Sequence, residues 1–218
     1  MIPIHDDNPR KLFPFITIAI IVMNVGIFIY QLFLTRENYL AFLYNFGAIP
    51  DLIIHGERLQ TILTSMFLHG GMLHLLGNML YLWIFGDNIE GICGHIRFVL
   101  FYLICGLAAF FSHFIMGPFS NIPMVGASGA ISGILGAYAV RFPQTRVRVL
   151  LPLFPFLWLW RTISLPAIFV LGFWFVMQIL NALFSGGSGV AWFAHVGGFI
   201  AGVLLIRKFE KRRYRVYY

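Results

Sequence analysis

Residues 126–136 read Gly-Ala-Ser-Gly-Ala-Ile-Ser-Gly-Ile-Leu-Gly, an apolar segment in which Gly129 and Gly133 stand four positions apart. Small residues at this spacing lie on one face of a helix and allow a second membrane helix to approach closely. The same spacing recurs at Gly198 and Gly202 in a later apolar segment. We therefore predict that two membrane helices pack against each other through these glycine faces.

The composition is typical of a membrane protein. Of 218 residues, 60% are hydrophobic and 11% are charged, whereas a soluble domain carries about 25% charged residues. The net charge of +7 lies in loops and tails, where it predicts topology and contacts with anionic membrane lipids rather than nucleic-acid binding. Cys93 and Cys105 provide neither a disulfide framework nor metal-ligand spacing. The predicted fold class is an all-α polytopic membrane protein.

Six apolar segments are predicted to form transmembrane helices, because a span needs about 20 apolar residues. In chain order they are residues 13–34, 72–86, 98–116, 128–140, 165–184 and 190–206. With six spans, every strongly basic segment lies on one side of the membrane, and the positive-inside rule then places both termini in the cytoplasm. The prediction is a six-helix bundle at residues 13–206, with cytoplasmic tails at residues 1–12 and 207–218. The second of these tails is strongly basic.

The connections between the spans carry predictions of their own. Residues 35–68 form a long outer loop that is too apolar for a solvated linker, so we predict that it lies in the membrane interface. Residues 118–127 are predicted to re-enter the membrane, and residues 149–160 to lie on the cytoplasmic interface with Trp158 and Trp160 as belt residues. The chain shows no transit peptide or appended domain, which predicts a bacterial or archaeal plasma membrane.

Ser128 follows the turn residue Gly126 and begins a short predicted helix. This helix is about 20 Å long at about 1.5 Å per residue. If it ends at the cytoplasmic surface near Arg141, Ser128 lies inside the membrane at a helix N-terminus, where the dipole favours developing negative charge. The alternative interpretation is a serine that caps a helix in a glycine-rich packing motif.

His195 stands three positions before Gly198, so the two residues share one face of the predicted helix at 190–206. This helix and the helix that begins at Ser128 both run from outside to inside. Parallel packing of their glycine faces places Ser128 and His195 at the same depth on facing sides, where a histidine can act as the general base of a serine. None of the eight acidic residues falls within a predicted span, so we predict a Ser-His dyad rather than a triad. The alternative is a core histidine hydrogen-bonded to a neighbour.

His74 and Asn78 are four positions apart and share one face of the predicted helix at 72–86. An asparagine amide donates hydrogen bonds without protonation, which suits an oxyanion hole, and His74 supplies a second donor. For His69, at the start of this helix, we predict a structural role. The alternative is a zinc site, but zinc sites usually include a carboxylate or thiolate, and none is predicted at this depth. We therefore predict neither a metal nor a cofactor.

Three motifs together resemble the rhomboid intramembrane serine proteases. They are Phe-Leu-His-Gly-Gly-Met-Leu-His-Leu-Leu-Gly-Asn at 67–78, Gly-Ala-Ser-Gly-Ala at 126–130 and Ala-His-Val-Gly-Gly at 194–198. Their order, the six-span count and the cytoplasmic termini are similar to the basic six-helix bacterial form of that family.

The resemblance implies a serine-type endopeptidase that works within the membrane. It implies that Ser128 is the nucleophile, that His195 is the base, and that Asn78 with His74 stabilises the oxyanion. The implied partners are transmembrane substrates, single-span membrane proteins that are cut near the outer end of their helix through an acyl-enzyme.

The chain departs from the family pattern in two places. Some members carry a tyrosine, stacked beneath the histidine, at the position of Ser132, so support for His195 must come from elsewhere. Some also carry a Trp-Arg pair in the first outer loop, where this chain has Gln60 and Thr61. Two other functions stay open at this point, a non-catalytic protein that binds transmembrane segments and a metal-binding transporter. The glycine faces leave the oligomeric state open as well.

Overall fold

The computed structural model describes residues 1–10, 12–152, 160–185 and 190–211, and the protein is mostly helical. In chain order, the helices are α1 (Phe15–Leu32), α2 (Arg36–Phe46), α3 (Pro50–Ile54), α4 (Thr61–Thr64), α5 (Met72–Cys93), α6 (His95–Met116), α7 (Ser128–Arg141), α8 (Ala167–Phe184) and α9 (Trp192–Phe209). A 3-10 turn at Ser65–Phe67 follows α4. The strands are β1 (Ile2–Asp6), β2 (Arg146–Pro152) and β3 (Trp160–Pro166).

Helices lie at all six positions predicted for transmembrane segments, as α1, α5, α6, α7, α8 and α9. Among the described residues, four helices, α1, α6, α8 and α9, are long and apolar enough to cross a membrane. The chain is therefore a multi-pass membrane protein. α5 is diluted by polar residues, and α7 has only 14 residues. The six-span count stays a prediction.

α5 continues about two turns beyond its predicted end at residue 86. The polar residues that indicated a loop are instead satisfied by distant partners. Glu90, which is 0% exposed, accepts hydrogen bonds from the N–H groups of Ile16 (2.9 Å) and Thr17 (2.8 Å). It therefore caps the N-terminus of α1. Asp87 Oδ2 accepts a hydrogen bond from Arg10 Nε at 2.6 Å.

The all-α prediction is wrong at one end of the bundle, where β1, β2 and β3 form an antiparallel sheet in the order β1-β2-β3. β2 has the alternation of a strand with one buried face. Val147 and Val149 are 0% exposed and alternate with Arg146 and Arg148. This alternation with a period of two is typical of a strand and not of an irregular connection between helices.

The sheet also changes two predicted boundaries. The tail predicted at residues 1–12 contains β1, and the interfacial segment predicted at 149–160 contributes its first residues to β2 and Trp160 to β3. Residues 153–159, including the predicted belt residue Trp158, lie outside the described residues. The sheet depends on pairing between β1 and β2, which are separated in sequence by more than half of the chain.

α7 lies in the core and packs against α9 through glycine. Every residue from 129 to 139 is buried. A Cβ at Gly198 would overlap the carbonyl oxygen of Gly129, and a Cβ at Gly202 would overlap that of Gly133. Since both contacts advance by four residues on each helix, α7 and α9 run parallel. The glycine packing predicted from the sequence is confirmed, and the first turns of the two helices lie side by side.

The predicted outer loop at 35–68 contains α2, α3 and α4 rather than irregular chain. Its residue Ala48 pairs with Met124 through two backbone hydrogen bonds of 3.0 and 2.8 Å. This bridge joins the loop to the segment predicted to re-enter the membrane at 118–127. The two connections meet beside the N-terminus of α7, and their depth in a membrane stays a prediction.

Candidate active site

Ser128 is the first residue of α7, and a glycine turn sets its position. Gly126 has a φ of +121°, a value that residues with a side chain rarely adopt. A Cβ there would lie 2.7 Å from the imidazole of His74. The Gly126 N–H donates to the Ser65 carbonyl oxygen at 2.8 Å. The turn therefore requires glycine, and it holds the start of α7 against the 3-10 turn.

Ser128 and His195 meet across the α7–α9 contact. Ser128 Oγ lies 2.8 Å from His195 Nε2, within hydrogen-bonding distance. His195 belongs to the first turn of α9, and the contact between Gly129 and Gly198 lies within one turn of both side chains. Because only backbone separates the helices there, the hydroxyl and the imidazole reach each other directly.

The second nitrogen of the same imidazole is bound from α8. His195 Nδ1 lies 2.8 Å from Gln178 Oε1, and Gln178 Nε2 donates to the Trp174 carbonyl oxygen at 3.2 Å. The Trp174 ring lies with its centroid 6.0 Å from that of His195. None of the three sequence motifs includes Gln178. Its spacing of four residues from Trp174 on an apolar helix was the available signal.

Ser132 occupies the position where some rhomboid proteins carry a tyrosine. Its Oγ donates to the Ser128 carbonyl oxygen at 2.6 Å, so the hydroxyl is engaged by the backbone of its own helix. Ser132 is also 1% exposed. The ring contacts of His195 are made by Trp174 from α8 and, edge-on, by Trp192. The aromatic contacts of the histidine ring therefore come from α8 and α9.

His69, His74 and Asn78 form a polar cluster at the start of α5. Asn78 Nδ2 lies 2.9 Å from His69 Nε2, and the rings of His69 and His74 are 5.1 Å apart between centroids. His69 is 0% exposed, and its backbone N–H and carbonyl oxygen bind both ends of the Gln31 amide, at 3.2 and 3.1 Å. His69 is thus fixed to α1 and orients Asn78, which fits the predicted structural role.

A cavity of about 840 Å³ joins the two clusters. Ser128, His195, His74 and Asn78 all line it, while most of its wall is apolar. Its volume falls within the range of about 300–1,000 Å³ that is usual for ligand sites. The four residues that the sequence predicted for the nucleophile, the base and the oxyanion donors therefore face one space.

Carboxylates lie elsewhere. The eight acidic residues of the sequence all fall within the described ranges, and none of them lines this cavity. Within the part of the chain that the structure describes, no three His, Cys, Asp or Glu side chains group as metal ligands would. The polar side chains that line this cavity include the hydroxyls of Ser65, Tyr81, Ser128 and Ser132 as well as imidazoles and amides.

Comparisons with known proteins place the chain in a family. The sequence model of the Rhomboid domain matches residues 56–212. The chain belongs to the rhomboid family. Rhomboid protease GluP of Bacillus subtilis is 34% identical over 161 residues, which cover 72% of this chain and 27% of that protein. RHOMBOID-like protein 1 of Arabidopsis thaliana is 29% identical over 91% of this chain and 54% of its own length.

YdcA of Bacillus subtilis is 30% identical to this rhomboid over 78% of this chain and 75% of its own length. The chain spans only about a quarter to a half of the first two relatives. The matched Rhomboid domain includes α5 to α9 and both polar clusters of the cavity. β1 and α1 lie before the matched domain. α1 nevertheless contributes to the site, because Gln31 binds the backbone of His69.

Proposed function

We propose that this rhomboid is an intramembrane serine protease that cleaves transmembrane segments of single-span membrane proteins. One observation carries the proposal: Ser128 Oγ and His195 Nε2 lie 2.8 Å apart in a mostly apolar cavity between helices. A hydroxyl becomes an effective nucleophile when an adjacent imidazole accepts its proton. The names of relatives such as Rhomboid protease GluP agree with this activity.

In the first step, Ser128 Oγ attacks the scissile carbonyl carbon while its proton passes to His195 Nε2. The carbonyl oxygen becomes an oxyanion. When the intermediate collapses, His195 gives that proton to the leaving amine, the peptide bond breaks, and an acyl-enzyme remains on Ser128. Water, deprotonated by His195, then hydrolyses the ester and restores the hydroxyl.

The oxyanion is stabilised by donors on the cavity wall. Asn78 supplies an amide N–H, His74 supplies an imidazole N–H, and Ser128 supplies its own backbone N–H. The N–H groups in the first turn of a helix have no acceptor within the helix, so the start of α7 offers a free donor and the positive end of its dipole. Such preorganised donors are worth most in a space that excludes bulk water.

The membrane arrangement that goes with this function has six spans, both termini in the cytoplasm, and a bacterial or archaeal plasma membrane. Contacts of basic residues support the first two parts. Arg97 donates to the Glu210 carbonyl oxygen, Arg141 pairs with Glu210 at 2.8 Å, and Arg148 pairs with Asp7 at 3.2 Å. Arginines at the start of α6, at the end of α7 and in β2 therefore lie beside residues near the two ends of the chain, which agrees with the positive-inside rule.

The test is cleavage of a generic single-span substrate in proteoliposomes by the wild type, Ser128→Ala and His195→Ala. We expect product from the wild type alone, with the cut site mapped by mass spectrometry. Cleavage by all three proteins would refute the dyad. A wild type that neither cleaves the substrate nor is labelled at Ser128 by a fluorophosphonate would instead favour a non-catalytic protein that binds transmembrane segments.

A further inference from the structure

The neutral imidazole of His195 can carry its proton on either nitrogen, and only one form can serve as the base. Nε2, which lies 2.8 Å from Ser128 Oγ, must be unprotonated to accept the serine proton. The single proton must then be on Nδ1, and a buried N–H requires an acceptor. The acceptor that faces Nδ1 is Gln178 Oε1, at 2.8 Å.

The orientation of the Gln178 amide is fixed by its other end. Nε2 of Gln178 donates to the Trp174 carbonyl oxygen at 3.2 Å. If the amide were flipped, its oxygen would face that carbonyl oxygen, two acceptors in contact, and its NH₂ group would face Nδ1. Only the observed orientation satisfies both contacts, so the backbone of α8 selects the imidazole form in which Nε2 is free to act as a base.

The surroundings hold this contact in place. Gln178 is 6% exposed, so bulk water has little access to replace its oxygen. Trp174 and Gln178 are one turn apart on α8 and contact the same imidazole, one with its ring and one with its amide. On α7, the Ser132 hydroxyl is already engaged by the Ser128 carbonyl oxygen.

We propose that Gln178 is a positioning residue that sets the tautomer and orientation of His195 for proton transfer from Ser128. This inference rests on the proposed function. It assigns to α8 a part in the chemistry that the three sequence motifs do not contain. The role requires a hydrogen-bond acceptor four bonds from Cα, and a polar side chain of another length would not meet it.

Four variants separate an acceptor role from a structural one. Gln178→Met keeps the length and removes the acceptor, and Gln178→Asn keeps the amide but withdraws it from Nδ1. Gln178→Glu, as the protonated acid, keeps an acceptor oxygen for Nδ1 and an O–H for the Trp174 carbonyl oxygen. Asn181→Leu is the matched control, since it removes from the same helix an amide whose oxygen accepts a hydrogen bond from the Ser185 hydroxyl.

Cleavage kinetics in proteoliposomes and the rate of Ser128 labelling by a fluorophosphonate are the two readouts. We expect Gln178→Met and Gln178→Asn to lower kcat by about 10–100-fold, with KM changed by less than about threefold, because one hydrogen bond and the alignment of the base are lost. The labelling rate should fall by a similar factor. Gln178→Glu and Asn181→Leu should stay within about threefold of the wild type in kcat.

Wild-type kcat and labelling in Gln178→Met would overturn the proposal, and so would a change in KM alone. It would also fail if Gln178→Glu were as slow as Gln178→Met while remaining folded. If Gln178→Met does not fold, Gln178→Asn decides by the same criteria. Failure of the proposed function looks different: either the wild type neither cleaves the substrate nor is labelled at Ser128, or Ser128→Ala and His195→Ala cleave it as well.

Discussion

A single methyl group added far from Ser128 and His195 is expected to break the hydrogen bond between them. Gly202 lies about 10 Å along α9 from His195, in the second of the two glycine contacts between α7 and α9. In Gly202→Ala, the new Cβ would overlap the carbonyl oxygen, the carbonyl carbon and the Cα of Gly133. All three are backbone atoms, so no side chain can rotate away and the helices must separate.

The size of the effect follows from the dyad distance. A separation of about 1 Å at the contact is the least that relieves such an overlap, and it would stretch the Ser128–His195 hydrogen bond from 2.8 Å to beyond the limit of about 3.5 Å. A misplacement of about 1 Å in reacting groups lowers turnover by about 10²-fold. Overpacking of this kind also lowers the free energy of unfolding by about 1–3 kcal/mol.

The assay is kcat in proteoliposomes together with thermal unfolding of the same preparations. Gly172→Ala is the matched control, since Gly172 lies on α8 and a Cβ there meets nothing within 4 Å. The reasoning predicts that Gly202→Ala loses about two orders of magnitude in kcat while Gly172→Ala keeps wild-type kcat and stability. Gly202→Ala with wild-type kcat and wild-type unfolding would refute it.

Three further outcomes are expected. Asn78→Ala should lower kcat by about 10²–10³-fold with little change in KM, as for one oxyanion donor, and an unchanged kcat would contradict that role. Glu90→Ala should lower the free energy of unfolding by about 3 kcal/mol, because the N–H groups at the start of α1 lose their carboxylate acceptor. Denaturant unfolding in micelles measures this free energy, and a value equal to that of the wild type would show that the cap does not stabilise the fold. Burial raises the pKa of Asp6 from 3.8 to about 6, although the Tyr138 hydroxyl opposes the shift. The folded state therefore binds more protons than the unfolded state in this window, and the stabilising contribution, complete below pH 3.8, is lost as the pH rises through about 6. Asp6→Asn should flatten that part of the stability profile, and a profile identical to the wild type would exclude Asp6 as its source.

The sequence predicted those parts of the fold that depend on local patterns. Apolar runs located the six long helices, and the four-residue spacing of Gly129 and Gly133 predicted the contact with α9. The end of α5 was placed too early because Asp87 and Glu90 indicated a loop. Their partners, Arg10 and the start of α1, lie more than 70 positions away, and no local pattern records such a contact.

The sheet was missed for a related reason. The alternation of arginine and valine in β2 is visible in the sequence, but its partner β1 is only five residues long and lies in the segment predicted to be a cytoplasmic tail. In the candidate site, the motifs indicated Ser128, His195, His74 and Asn78. Gln178 was missed because one buried amide on an apolar helix looks the same whether it binds a backbone group or the second nitrogen of a base.

The burial of α7 has a consequence for how the protein responds to lipid. A helix of 14 residues is about 21 Å long, well short of a hydrocarbon core of about 30 Å. Because residues 129–139 are buried within the protein, the length of α7 does not have to match the thickness of the hydrocarbon core. A thicker or thinner bilayer acts on helices long and apolar enough to cross it, such as α1, α6, α8 and α9. We therefore expect the protein scaffold, rather than the thickness of the bilayer, to set the position of Ser128.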